Sequence, residues 1–211
     1  MANPAYSHNL HQASSSAEVP RARTDAPAPA FRKAGLLDLP FIFNQIVEGC
    51  VEGVYSDLFL TGGGNVHLMR LLFLNLLPFG KLLGKRKLYD FLIFRKGQEE
   101  IGFVGMYAAR DAVSGDAAKH QATLTIGFFG VAQAFRGKHK GIMMMRMLLE
   151  HLPADATIDA YTTKYAVGMQ RLLTRSGFRQ TGDQPTSKQK KYFLDKREGK
   201  WAGRHHPRAM A

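Results

Sequence analysis

A single cysteine, Cys50, occurs in 211 residues, so no disulfide can form within the chain. Cys50 lies in an apolar helical stretch and is expected to be a small core residue. Acidic residues are scarce: 17 Asp and Glu against 29 Lys and Arg leave a formal net charge of +12, a balance suited to anionic partners. Long apolar runs are missing as well. The most membrane-like stretch, Val66 to Leu83, is interrupted by Arg70, Asn75, Pro78, Gly80 and Lys81, whereas a spanning helix needs about 20 mainly apolar residues. It is expected to be a buried helix ending near Pro78. Residues 1–30 lack the apolar core of a signal peptide, so a cytoplasmic address is the expectation. His205-His206 is too short and isolated for a metal site, and no metal is expected. No Gly-Lys-Ser/Thr follows Gly62-Gly63-Gly64, so the triple glycine is expected to link two helices and not to form a phosphate loop.

A hydrophobic content of 45% is ordinary for one globular domain. Residues 1–30, with Ser14-Ser15-Ser16 and Pro20, Pro27 and Pro29 but no apolar period, are expected to be a disordered tail. The domain is expected over residues 31–195, and residues 196–211 read as a basic C-terminal tail. From Phe31 a strand leads into a helix capped by Asp38, with Phe41, Ile42, Ile46 and Val47 at helical spacing. Tyr89–Arg95 and Ile101–Ala109 read as strands of a hairpin turning at Lys96–Glu100. A polar loop, Arg110–Lys119, precedes a strand over Gln121–Val131. Thr157–Thr162, Val167–Ser176 and Lys190–Leu194 are expected as strand, helix and closing strand. Met143, Met144, Met145, Met147, Leu148 and Leu149 make the helix after residue 139 apolar over much of its surface, which predicts burial.

The most informative run is Val131 to Leu149, VAQAFRGKHKGIMMMRMLL. It ends a strand, turns through a Gly-rich basic loop and opens a helix. The first N–H groups of a helix have no partner within it, and they point one way with the positive end of the helix dipole behind them. Arg136, Lys138, His139 and Lys140 lie in or beside that turn, so a phosphate-bearing ligand is the expected occupant.

This turn resembles the signature of the GNAT superfamily of N-acetyltransferases, Gln/Arg-x-x-Gly-x-Gly/Ala between the fourth strand and the next helix. Arg136-Gly137-Lys138-His139-Lys140-Gly141 fills that frame, and Val131-Ala132-Gln133-Ala134-Phe135 stands where the family often shows Val-x-Pro-x-Tyr. His139 occupies the place of the first signature glycine, and His enters positive φ more readily than most residues. Met169 to Phe178 resembles the family's later helix and its terminating Gly-Phe, after which a strand begins, and Arg32-Lys33-Ala34 with Asp38-Leu39-Pro40 resembles its opening strand and helix. The resemblance implies an α/β fold with a mixed, mostly antiparallel sheet flanked by helices and splayed between strands 4 and 5. It also implies an N-acetyltransferase that uses acetyl-CoA to acylate an amine. Val131 and the next residue would present backbone groups to the pantetheine arm, and Arg136, Gly137, Lys138, His139, Lys140 and Gly141 would hold the pyrophosphate. The segment between the first two strands, which includes Val66 to Leu83, builds the acceptor wall in that family, though core packing is the favoured reading here.

Two catalytic positions depart from the family. The Tyr that often protonates the departing thiolate is Leu173 here, which leaves Tyr161 or Tyr165 as substitutes or as packing residues. An acidic base on the fourth strand is absent, so Asp159 on the fifth strand and water-relayed deprotonation by a backbone carbonyl both stay open. Positioning alone supplies much of the acceleration in acyl transfer. An acyl-CoA-binding regulatory protein with weak turnover, and a basic nucleic-acid-binding protein, are the alternatives. The cations from Lys188 to Arg208, with Tyr192 and Trp201 among them, suit a solubilising tail or a surface that steers an acidic protein or RNA. The amine acceptor and the oligomeric state are left open, a dimer being compatible.

Overall fold

A computed structural model describes residues 27–77, 89–108, 123–183 and 189–198. Expectations for the start of the N-terminal tail, the loop Arg110–Lys119, the surroundings of Pro78, and Trp201 and His205-His206 lie outside these residues. Among the described residues seven strands make one sheet: β1 (Ala30–Lys33), β2 (Asp90–Lys96), β3 (Glu99–Ala108), β4 (Thr123–Val131), β5 (Thr157–Thr163), β6 (Arg179–Asp183) and β7 (Gln189–Asp195). Their spatial order is β1-β2-β3-β4-β5-β7-β6. Every neighbouring pair is antiparallel except β4 and β5, which run parallel. Among the described residues four α-helices flank the sheet: α1 (Leu39–Val51), α2 (Gly62–Leu76), α3 (Lys140–His151) and α4 (Val167–Arg175). The expected mixed, mostly antiparallel α/β sheet is therefore present.

Two apolar layers sandwich the sheet. On one face Met144, Met145, Leu148 and Leu149 of α3 and Leu173 of α4 pack on Val104, Ile126 and Ile158. On the other, Ile42, Ile46 and Cys50 of α1 and Leu68 and Leu72 of α2 pack on Phe91, Ile93, Phe103 and Phe128. Burial pushes the Cys50 thiol up to about 11, so at neutral pH it is an inert core group, as its apolar setting predicts.

β4 serves both layers because of an irregularity. Gly105 of β3 faces Phe128 and Met106 faces Ile126, leaving Gly127 as the extra residue on β4. A bulge of this kind bends its strand and reverses the face that later side chains meet. Ile126 and Phe129 accordingly join the α3 layer while Phe128 joins the α1 layer. The parallel pairing with β5 runs from Thr123↔Thr157 to Ile126↔Ala160, so the two strands separate where the bulge begins. That is the expected splay.

Three local expectations are corrected. The triple glycine is not a link; it forms the first turn of α2. Thr61 caps that helix by accepting the Gly64 N–H at 3.1 Å, and a Cβ on Gly64 would stand 1.8 Å from the Leu58 carbonyl oxygen. Close approach, not flexibility, explains a glycine there. α2 is also not buried all round: Leu68 and Leu72 are fully buried whereas Val66 is 70% and Phe73 46% exposed. Asp38 occupies the N-cap position of α1 without bonding the helix N–H groups.

The Asp38 carboxylate instead joins β1 to the start of α1. It accepts the Arg32 guanidinium in a bidentate pair at 2.6 and 2.5 Å and the Gly35 N–H at 2.7 Å. The hydrogen bond from Arg32 holds the buried carboxyl below the usual aspartate range. A depressed folded-state pKa stabilises the fold above the unfolded value near 3.9 and loses that contribution as pH falls through the folded value. Asp38→Ala is expected to cost about 2 kcal/mol at neutral pH, measured by urea unfolding. The gap from wild type should narrow as pH falls below about 4; a constant gap would contradict the ion pair as its source.

Candidate active site

Parting β4 from β5 leaves a cleft of about 610 Å³ at the open end of the sheet. Phe129, Gly130 and Val131 of β4 form one wall, and Tyr165 with Val167, Met169 and Leu172 of α4 forms the other. Gln45 and Gly49 of α1 with Glu52 just after it close one side, and the turn into α3 closes the mouth. A second void of about 30 Å³ lies deeper, lined by Ile126, Gly127, Tyr161 and Thr162. Val54, Tyr55, Phe129, Ala166 and Met169 border both spaces.

The turn at the mouth carries two residues in left-handed backbone. Gly137 has φ of 74° and His139 of 58°, and His139 is the one non-glycine residue with positive φ among the described residues. His139 takes the N-cap position of α3 and supplies no side-chain cap, so the first helical N–H groups depend on solvent or a ligand. Arg136, Gly137, His139, Lys140 and Gly141 line the cleft. Lys138 is exposed and stands outside the lining. Arg136 is already engaged: its Nε donates to the Val131 carbonyl at 2.9 Å, and Nη1 bonds the Glu52 carboxylate. Arg171 and Arg175, four residues apart on α4, add cations to the cleft wall. The sequence reading named neither as a ligand residue.

The three candidate catalytic residues do not converge. Tyr165 lines the large cleft and is 65% exposed, with Lys164 Nζ 4.8 Å from its ring centroid. Tyr161 borders the small void, and Lys191 Nζ lies 5.9 Å from its ring. Asp159 lines neither space; it is buried and pairs with Lys191 Nζ at 3.1 Å, while its Oδ1 has no hydrogen-bond partner. The hydrogen bond to Asp159 holds the Lys191 ammonium above the ordinary lysine value. Leu173 is fully buried in the core, so α4 brings no proton donor to the cleft from that position.

The residue that sequence reasoning missed is Tyr55, from the turn after α1. Its hydroxyl donates to the Phe129 carbonyl at 2.8 Å and accepts the Phe129 N–H at 3.2 Å. Phe129 and Val131 lie two residues apart, so their backbone groups point the same way along the separated edge of β4. Tyr55 and Arg136 thus satisfy that edge. Burial drives the Tyr55 hydroxyl well above the ordinary tyrosine value, only partly offset by its bond to Phe129. One signal in the chain marked this approach: Gly49, inside the apolar helix α1, where a Cβ would stand 2.5 Å from the Tyr55 ring.

Among the described residues no group of three or more His, Cys, Asp or Glu is placed to hold a metal ion, and no helix is long and apolar enough to cross a membrane.

His139 tests the turn without touching the core. Replacing a residue at positive φ by glycine removes backbone strain of about 1 kcal/mol, partly offset by chain entropy. His139→Gly should therefore raise the melting temperature by about 1–2 °C; a fall would show that the imidazole itself holds the turn.

No family model and no curated protein matches this chain. Solved structures do. An aminoglycoside N(6')acetyltransferase from Legionella pneumophila superposes with a TM-score of 0.62 at 11% identity, covering 82% of this chain and 94% of that one. AAC(6')-Ib in complex with ribostamycin and coenzyme A gives a TM-score of 0.62 at 17% identity, covering 85% and 99%. A GNAT-family acetyltransferase from Streptococcus agalactiae gives 0.58 at 14% identity, covering 81% and 96%. Sheet order, the β4–β5 parting and these superpositions together establish that the chain has the GNAT fold.

Proposed function

We propose that the chain is an acyl-CoA-dependent N-acetyltransferase. One observation carries the reading: a basic, uncapped helix start opens at the mouth of a cleft that runs along a β4 edge parted from β5. A long ligand with phosphates at one end and an amide-bearing arm fits that sequence of surfaces. The pyrophosphate sits on the Gly137–Gly141 turn, where unpaired N–H groups and the α3 dipole favour an anion, with Lys140, Arg171 and Arg175 nearby. The pantetheine amides take up the β4 edge at the Val131 and Phe129 carbonyls, displacing Arg136 from the first and the Tyr55 O–H from the second, and leave the Phe129 N–H to the thioester. The thioester then points at the small void, whose roughly 30 Å³ suits a methyl and disfavours longer acyl chains.

The reaction asks little of the protein beyond placement. The amine nitrogen attacks the thioester carbon, and the tetrahedral oxyanion collapses to release the thiol. Holding both reactants in line supplies much of the acceleration, consistent with candidate side chains that do not converge. The acceptor is an amine, and a net charge of +12 favours a neutral or acidic molecule over a polycation. The neighbours that name aminoglycosides show what those proteins act on.

Calorimetry with acetyl-CoA tests the binding half. A Cβ on Gly141 would meet only Leu172 and Val131, both at 3.7 Å, so the fold admits a side chain there. The ligand backbone approach does not. Gly141→Val should weaken acetyl-CoA binding by about 1–3 kcal/mol with an unchanged melting temperature, and unchanged affinity would remove the cradle assignment. CoA release with a panel of amines, peptides and aminoacyl-tRNA tests turnover: binding without release from any acceptor would favour a regulatory acyl-CoA-binding protein, the reading to which the buried Leu173 points.

A further inference from the structure

We infer that Tyr55 is the side-chain half of the oxyanion site, donating its hydroxyl hydrogen to the thioester oxygen beside the Phe129 N–H. This rests on the acyl-CoA reading above. The Tyr55 hydroxyl already pairs with both backbone groups of Phe129, at 2.8 and 3.2 Å, so it stands within one hydrogen-bond length of the β4 edge that a thioester would follow. Tyr55 and Phe129 also border both the large cleft and the small void. That junction is where an arm lying in the cleft passes into an acyl group lying in the void, and it is where the reacting carbonyl belongs.

When the thioester oxygen arrives it replaces the Phe129 carbonyl as acceptor of the Tyr55 O–H, and it takes the Phe129 N–H as a second donor. The amine lone pair then forms the C–N bond while the C=O π pair moves onto oxygen. Two fixed donors meet the developing charge. Collapse reforms C=O and breaks C–S, the electron pair leaving on sulfur; the proton shed by the amine reaches that thiolate through water. Tyr55 keeps its own proton throughout. Burial favours this role over acid catalysis, because a hydroxyl whose ionisation is suppressed remains a neutral donor across the physiological range. Tyr161 and Tyr165 are less well placed, each bordering only one of the two spaces. Close packing of the Tyr55 ring on Gly49 and edge-on against Phe128 at 5.6 Å fixes the hydroxyl in advance.

Tyr55→Phe keeps the ring and deletes the donor. With an acceptor from the amine panel, kcat should fall about 100-fold while KM for acetyl-CoA stays within about threefold, and the loss should be equal across pH of about 6 to 9. Infrared difference spectra of bound acetyl-CoA labelled with ¹³C at the carbonyl need no acceptor. The C=O stretch should lie below its free value in wild type and move back up in Tyr55→Phe. If the Phe variant fails to fold, 3-fluorotyrosine at position 55, a stronger donor, should lower the stretch further. An unchanged stretch in either variant overturns the inference. So does a Tyr55→Phe protein that binds acetyl-CoA more tightly with undiminished kcat, since Tyr55 would then only fill the edge. A wild-type protein that does not bind acetyl-CoA overturns the acyl-CoA reading, and this inference with it.

Discussion

Four residue pairs of parallel sheet, Thr123↔Thr157 through Ile126↔Ala160, hold the two halves of the sheet together, and everything functional follows from where they stop. Beyond Ile126 the extra residue Gly127 bends β4 away, and β5 continues with β7 as its partner up to Thr163↔Gln189. A sheet cannot leave backbone groups bare in a buried gap without cost. Here side chains fill the need on β4: Tyr55 bonds both backbone groups of Phe129, and Arg136 bonds the Val131 carbonyl. Each of these contacts ties the gap to α1 or to the α3 turn, so the edge is satisfied yet exchangeable.

The same residues would couple an anion on the α3 turn to the interior of the cleft. Arg136 lines the mouth from the turn before α3, and its guanidinium is paired there with Glu48 of α1 and with Glu52 just after it. An anion at the α3 start would add a competing acceptor for that guanidinium, and a pantetheine amide would release it from Val131. In the proposed binding mode the mouth and the edge act on one side chain, so Arg136, Glu48 and Glu52 would respond together.

Much of this was legible in the chain. Two strand-like runs divided by the polar stretch around Gly97 mark the β2–β3 hairpin, and the methionine-rich run after His139 marks α3 as the buried helix it is. The turn at residues 136–141 could be read because its chemistry is local: positive φ at Gly137 and His139, and a helix start with no cap. What escaped depends on distant approach. The glycines 62–64 look like punctuation, yet Thr61 caps them and the Leu58 carbonyl presses on Gly64. Tyr55 lies 74 residues from Phe129 in sequence, with no local pattern to join them, and Asp159 looks catalytic on a strand but pairs with Lys191 away from the cleft.

The central claim is that an acyl-CoA lies along the parted edge of β4 with its phosphates on the α3 turn. Backbone amide resonances followed during titration with a non-reactive acyl-CoA analogue test it most directly. The account predicts the largest shifts at Phe129, Val131 and residues 137–141, with little change at β6 or β1. Shifts confined to surface lysines, or absent from Phe129 and Val131, would contradict it.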